Sequence, residues 1–157
     1  MKRTMKKLIF VLLFCVLSSF CFSQSFDYVE EVVNSKEVSF LQVVTLVSQD
    51  LSFGADSSEN ADISQSLVSA YPNLKKIVDK YEVNPNQAIE LADFSQIICT
   101  CYNVKSSLMY IILGTPRYAF RQLVALRYFS ATEQPNAKLS GVKALSIIAD
   151  FGETLEK

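Results

Sequence analysis

The 157-residue chain contains no histidine and no tryptophan. Without histidine there is no Ser-His or Cys-His nucleophilic dyad and no imidazole-bearing metal site. Glycine is scarce: Gly54, Gly114, Gly141 and Gly152 lie far apart, so no glycine-rich loop is present to cradle a phosphate. Cysteine is sparse as well. Cys15 and Cys21 fall in the leader described below, and Cys99 and Cys101 alone cannot build a structural zinc site. Residues two apart on a helix point about 200° from each other, so Cys99 and Cys101 read as buried small hydrophobes and not as a disulfide. The formal charge of −1 leaves no basic excess to hold nucleic acid. No metal and no other cofactor is expected.

What is present begins with an address. Lys2, Arg3, Lys6 and Lys7 precede an unbroken apolar run from Leu8 to Leu17, and Ser18, Ser19 and Ser23 follow. A basic start, a short apolar middle and a small-residue exit predict a secretory signal peptide over residues 1–23. The run falls short of the about 20 apolar residues that span a bilayer. Three outcomes are open, one of them an uncleaved membrane anchor. Cleavage after Ser23 frees the domain; lipidation of Cys21 tethers it to a membrane, although Phe20 stands where lipoprotein processing favours a small residue. In each case the expected location is the periplasm or cell envelope. The remaining chain, 24–157, is one domain's worth of sequence, and it carries 11 bases against 16 acids. Residues 24–93 hold 12 of those acids against Lys36, Lys75, Lys76 and Lys80, whereas residues 94–149 hold six bases against Glu133 alone. Pairing between these halves accounts for the asymmetry, and so does an anion-facing surface on the second half.

The hydrophobic pattern has helical periodicity and no convincing strand alternation, which predicts an all-α domain of about six helices. A short stripe runs from Phe26 to Val33. Ser39-Phe-Leu-Gln42 reads as a capping box opening a helix with Phe40, Val43, Val44, Val47 and Leu51 on one face, stopped by Gly54. After an acidic connector over 55–62, a short helix is expected at Ile63 to Ala70. Pro72 then opens another with Leu74, Ile77, Val78 and Tyr81 inward. Asn84-Pro85-Asn86 is a turn. Ala88 to Val104 gives the strongest helix, apolar around much of its circumference and therefore expected to be central. Leu108 to Leu113 fits a helix or a buried strand. Gly114 breaks the chain, and Thr115 and Pro116 start a helix to about Phe129, with Phe120, Leu123, Val124 and Tyr128 inward. Pro135-Asn136 turns again before a last helix from Ser140 to about Leu155, with Val142, Leu145 and Ile148 apolar.

Three helices start alike: Val38-Ser-Phe-Leu-Gln42, Ile89-Glu-Leu-Ala-Asp93 and Leu139-Ser-Gly-Val-Lys143, with paired aliphatics later in each at Leu46-Val47, Ile97-Ile98 and Ile147-Ile148. Spacing of about 50 residues suggests a repeat with helices starting near 39, 90 and 140; chance alignment of amphipathic helices is the rival explanation. On these pentapeptides the sequence resembles the S-layer homology family over about Val38 to Phe151. The resemblance implies three helix–loop–helix motifs forming a helical domain that grips cell-wall polymer. Phe40, Leu91 and Gly141 stand where that family has its wall-contacting arginine, and the aromatic usually found as tryptophan is missing. No binding residue is carried over.

The sharpest local signal is Gly114-Thr-Pro-Arg-Tyr-Ala-Phe-Arg121. Arg117 and Arg121 share a helical face, so Thr115, Arg117, Tyr118 and Arg121 are the candidate binding residues for an anion or glycan. The competing reading pairs both arginines with Asp56, Glu59 or Asp62. Glu90 and Asp93 read as first-turn acids that favour the helix dipole, not as catalysts. The expectation is a non-catalytic exported envelope protein that binds a wall polymer, a lipid headgroup or an envelope protein. An accessory subunit of an envelope assembly is the alternative, and it calls for an exposed apolar patch.

Overall fold

The computed structural model describes residues 23–52, 60–104 and 107–155. They form eight α-helices, one 3₁₀ turn at Pro72–Leu74, and no strand longer than an isolated bridge. The expected leader lies outside these residues apart from Ser23, as do Gly54 and most of the acidic connector. The helices are α1 (Ser23–Asn34), α2 (Phe40–Asp50), α3 (Asn60–Ala70), α4 (Lys75–Tyr81), α5 (Leu91–Cys101), α6 (Leu108–Leu113), α7 (Pro116–Ala125) and α8 (Gly141–Leu155). The chain divides into two units, residues 1–34, which include α1, and residues 35–157. All that follows concerns the second unit.

Local sequence starts these helices by recognisable means. Gln42 N–H donates to Ser39 Oγ at 3.1 Å and Ser39 N–H donates to Gln42 Oε1 at 3.0 Å, so the capping box at α2 is complete. The stripe that follows buries Phe40, Val43, Val44 and Val47. α5 is the central helix, with Leu91, Phe94, Ile97, Ile98, Cys99 and Cys101 all buried, and it packs most heavily on α7. Fully burying such a side chain stabilises the fold by about 1.5–3 kcal/mol. Aromatic pairs lock the corners: Phe40 stacks on Tyr81 with ring centroids 4.7 Å apart, and Phe129 sits 5.6 Å from Phe120 and 6.4 Å from Phe94. Cys99 and Cys101 are free and buried, as expected.

The loops ahead of α2, α5 and α8 bond to one another in a cycle. Phe40 and Leu41 N–H donate to the carbonyls of Gln87 and Pro85, and Leu91 and Ala92 N–H to those of Ala137 and Pro135. Val38 N–H donates to Leu139 O, and Gly141 N–H to Ser35 O, closing the ring. Bridges Ser39–Ala88 and Glu90–Lys138 mark two of the three junctions.

This cycle explains one departure from expectation. Residues 88–90 are extended, because their backbone groups serve neighbouring loops, so α5 starts at Leu91 and not at Ala88. α3 begins earlier than expected, at Asn60. α7 ends at Ala125, where Arg127 adopts a left-handed φ of 68°, and Tyr128 lies beyond the helix. On α8 the buried residues include Ala144, Ile147, Ile148 and Phe151, while Val142 is exposed. The ambiguous segment Leu108–Leu113 is a helix, but it buries none of its residues.

Candidate functional site

The carboxyl end of α6 closes at Gly114, whose φ of +54° is left-handed. Glycine adopts that conformation without the penalty a Cβ brings, and an added Cβ would meet nothing within 4 Å, so the backbone angle alone fixes the residue type. The turn aims the Gly114 carbonyl at α5, where Gln96 Nε2 donates to it at 3.1 Å. That bond fixes which end of the Gln96 amide faces Gly114. The other end, Oε1, is buried and has no hydrogen-bond partner. Gln96 is only 6% exposed. A buried amide oxygen left unpaired costs about 1–3 kcal/mol, so its retention calls for a reason.

Gln96 lines a groove of about 1000 Å³. One wall is the 3₁₀ turn and α4, with Lys75, Lys76, Asp79 and Lys80; the floor is α5, with Asp93, Gln96 and Thr100; the far wall is α6 and its exit, from Tyr110 to Pro116. Asp93, Gln96 and Thr100 are spaced at three and four residues, which puts them on one face of α5. At the floor's edge, Thr100 Oγ1 and Tyr110 Oη lie 3.3 Å apart and tie α6 to α5. Burial pushes the Tyr110 phenol up from its usual value, so it stays neutral.

A charged cluster stiffens one end. Lys80 Nζ donates to Asp93 Oδ2 at 2.7 Å and to Glu90 Oε2 at 2.9 Å, and Lys138 Nζ lies 3.8 Å from the other Glu90 oxygen. Tyr81 Oη donates to Asp93 Oδ2 at 2.8 Å and accepts from Glu90 N–H at 3.2 Å. Burial, with the Asp93 carboxylate as a further cause, lifts the Tyr81 phenol to about 12. Burial alone would lower the Lys80 ammonium; hydrogen bonds to Asp93 and Glu90 outweigh it and hold it above its ordinary value. Both acids are thus engaged with a cation. Glu90 occupies the N-cap position of α5 but makes no capping bond with its side chain, so its main contacts are these ion pairs. Lys75 pairs with Asp79 at 2.9 Å, and Lys76 forms no ion pair with the described residues.

Of the residues expected to bind, Thr115 lines the groove with Pro116, and its side chain makes no capping bond. Arg117 and Arg121 are exposed on α7 and Tyr118 is half-buried; none of the three lines the groove. Arg121 lies over the Tyr118 ring, 5.7 Å from its centroid. Neither arginine forms an ion pair with a described acid, and the side chains of Asp56, Glu59 and Asp62 lie outside the described residues. Only the Lys138–Glu90 pair joins the acidic and basic halves among the described residues. Sequence reasoning missed Gln96 and Thr100. The signal available was Asp93, Gln96 and Thr100 on one face of a mostly apolar helix. No family model matches the chain, and neither a curated protein nor a solved structure matches it.

Proposed function

We propose that this chain is a non-catalytic exported envelope protein whose helical domain holds a cell-wall glycan in the groove between α4, α5 and α6. The observation that carries the reading is Gln96, which lines a groove wide enough for a sugar chain and whose Oε1 is a buried acceptor without a donor. A shift of the Gln96 side chain that opens this oxygen to the groove lets a sugar hydroxyl or acetamido N–H supply the missing donor. Thr100 and Tyr110 hydroxyls add polar contacts, Ile111 and Ile112 offer an apolar wall for sugar C–H faces, and Lys76 offers a charge to an acidic substituent. Thr115 belongs to the rim, and Arg117, Tyr118 and Arg121 extend the surface beyond it for anionic groups further along the polymer. Engagement of Asp93 and Glu90 by Lys80 supports binding over acid–base chemistry. The cyclic bonding of three loops supports a three-motif frame, as does the 51-residue spacing of the left-handed residues Ser52 and Asn103 beyond α2 and α5.

The test is retention of the cell-processed protein on purified peptidoglycan. Wild type is retained, and Gln96→Met, which keeps the side-chain volume, lowers retention about tenfold or more because the donor loses its acceptor. Arg117→Ala/Arg121→Ala weakens retention less and reduces its salt dependence. Wild-type protein that washes off, or Gln96→Met retained like wild type, overturns the groove as the binding site.

A further inference from the structure

The helix α6, Leu-Met-Tyr-Ile-Ile-Leu, contradicts the rule that apolar helices are held by burial. Its five aliphatic residues are 48% to 78% exposed, from Leu113 to Leu108, and it has no buried residue. Polar tethers hold it instead. Ser107 N–H donates to Gln122 Oε1 at 3.0 Å, Tyr110 Oη meets Thr100, and Gln96 Nε2 reaches the Gly114 carbonyl. The fold therefore fixes the helix while leaving its apolar side chains in solvent, against the cost of exposing them.

The sequence around this helix carries charge of one sign. From Ser95 to Thr132 the sequence has no aspartate and no glutamate, while Arg117, Arg121 and Arg127 lie in that stretch. Arg117, in the first turn of α7, is exposed and four positions beyond Leu113, and α7 packs against α6. Across the groove from Ile111 and Ile112 stands Lys76, outside any ion pair with described residues, while Asp79 on the same wall is paired with Lys75. Exposed aliphatics followed by the exposed Arg117 and Arg121, with carboxylates excluded from residues 95–132 and those across the groove already paired with lysines, match the chemistry of an anionic bilayer surface. A protein groove would accept the same aliphatics but supplies no reason for the missing acids. No described helix is long and apolar enough to cross a membrane, so the contact would be superficial.

We infer that α6 docks the domain on anionic lipid, with its aliphatic side chains in the headgroup–acyl boundary and Arg117, Arg121 and Lys76 facing lipid phosphates. Ile111, Ile112, Lys76, Arg117 and Arg121 serve both readings, whereas Leu108 and Met109 lie off the groove and Gln96 lies off this surface, so substitutions at those positions separate the two assignments.

The chain's lack of tryptophan makes the test local. In the cell-processed protein, Leu108→Trp places one indole on α6, off the groove. Its emission shifts to shorter wavelength with phosphatidylglycerol vesicles and stays unchanged with phosphatidylcholine vesicles. Raising salt from about 0.05 M to about 0.5 M reduces the shift, because screening weakens the cationic contribution. In the protein lacking the probe, Leu108→Gln/Met109→Gln lowers co-sedimentation with the anionic vesicles about tenfold or more and leaves the circular dichroism and peptidoglycan retention of the parent intact. An unshifted indole on anionic vesicles overturns the inference, as does an equal shift on neutral ones. Concentration-dependent dimerisation abolished by the same glutamines would assign α6 to a second copy instead, and would overturn it equally.

Discussion

Replacing Tyr81 with phenylalanine removes one oxygen from the interior and isolates what the charged cluster contributes. The ring is 1% exposed and stacked on Phe40 with an interplanar angle of 4°, and phenylalanine keeps that packing. Two hydrogen bonds go: the one the phenol donates to Asp93 Oδ2 and the one it accepts from Glu90 N–H. A hydrogen bond to a charged group contributes about 1.5–3 kcal/mol, and an amide left without its acceptor adds about 1 kcal/mol. Lys80 remains on Asp93, so the carboxylate is not orphaned. The expected loss is therefore about 2–4 kcal/mol, which is severe against a typical domain stability of about 5–15 kcal/mol. Urea titration followed by circular dichroism reads it as a lower midpoint at unchanged slope. A loss under about 0.5 kcal/mol, the range of an ordinary surface change, would refute the claim that this phenol organises the cluster.

Two further outcomes follow from buried groups elsewhere. Burial lifts the Cys99 and Cys101 thiols from an ordinary 9.0 to about 12, and with Tyr81 also lifted to about 12 the folded state favours all three neutral forms. A raised folded pKa gives stability that is complete below the ordinary value and is lost as pH climbs towards the folded one. Stability should thus decline from about pH 9 upward, and iodoacetamide at neutral pH should leave the peptide holding both cysteines unmodified until denaturant is added, as read by mass spectrometry. At the junction of α2, α5 and α8, Tyr102 Oη donates to Asp50 Oδ2 at 2.6 Å, and a Cβ on Gly152 would lie 2.8 Å from the other oxygen of that carboxylate. Gly152→Ala should push Asp50 aside and cost about 1–2 kcal/mol through the lost hydrogen bond, despite alanine's better helix propensity; a gain in melting temperature would contradict this.

Helices were legible wherever their cause was local. The capping box at Ser39, the stripe from Leu74 to Tyr81 and the stop at Gly114 depend on residues within a few positions of each other, and all three stand in the structure. Expectation failed where distant segments decide. Ala88 to Glu90 carries a helical stripe, yet its backbone groups bond to other loops. Leu108–Leu113 has core composition, but composition records only the preference for burial; tethers from Thr100, Gln96 and Gln122 settle its placement. Glu90 and Asp93 matched a helix-dipole pattern, and Asp93 does lie in the first turn of α5, but Lys80 reaches both from α4, ten and thirteen residues earlier.

The floor of the groove was the least legible feature, and its energetics separate binding from folding. Asp93 is compensated by Lys80 and Tyr81, and Thr100 has Tyr110. Gln96 alone is half-satisfied: one bond to Gly114, worth about 1 kcal/mol, against an unpaired oxygen costing about 1–3 kcal/mol. For the empty protein, methionine would serve this position as well or better, since it fills a similar volume and buries no polar atom. Gln96→Met should therefore leave stability unchanged or raise it by up to about 2 kcal/mol while releasing the protein from peptidoglycan. Retention must fall without a fall in stability for the assignment to hold. If Gln96→Met lowers the urea midpoint substantially, Gln96 is a structural strut for α6, and its buried oxygen carries no message about a ligand. If stability rises and retention falls, the residue is kept at a cost to the fold, and ligand binding supplies the reason.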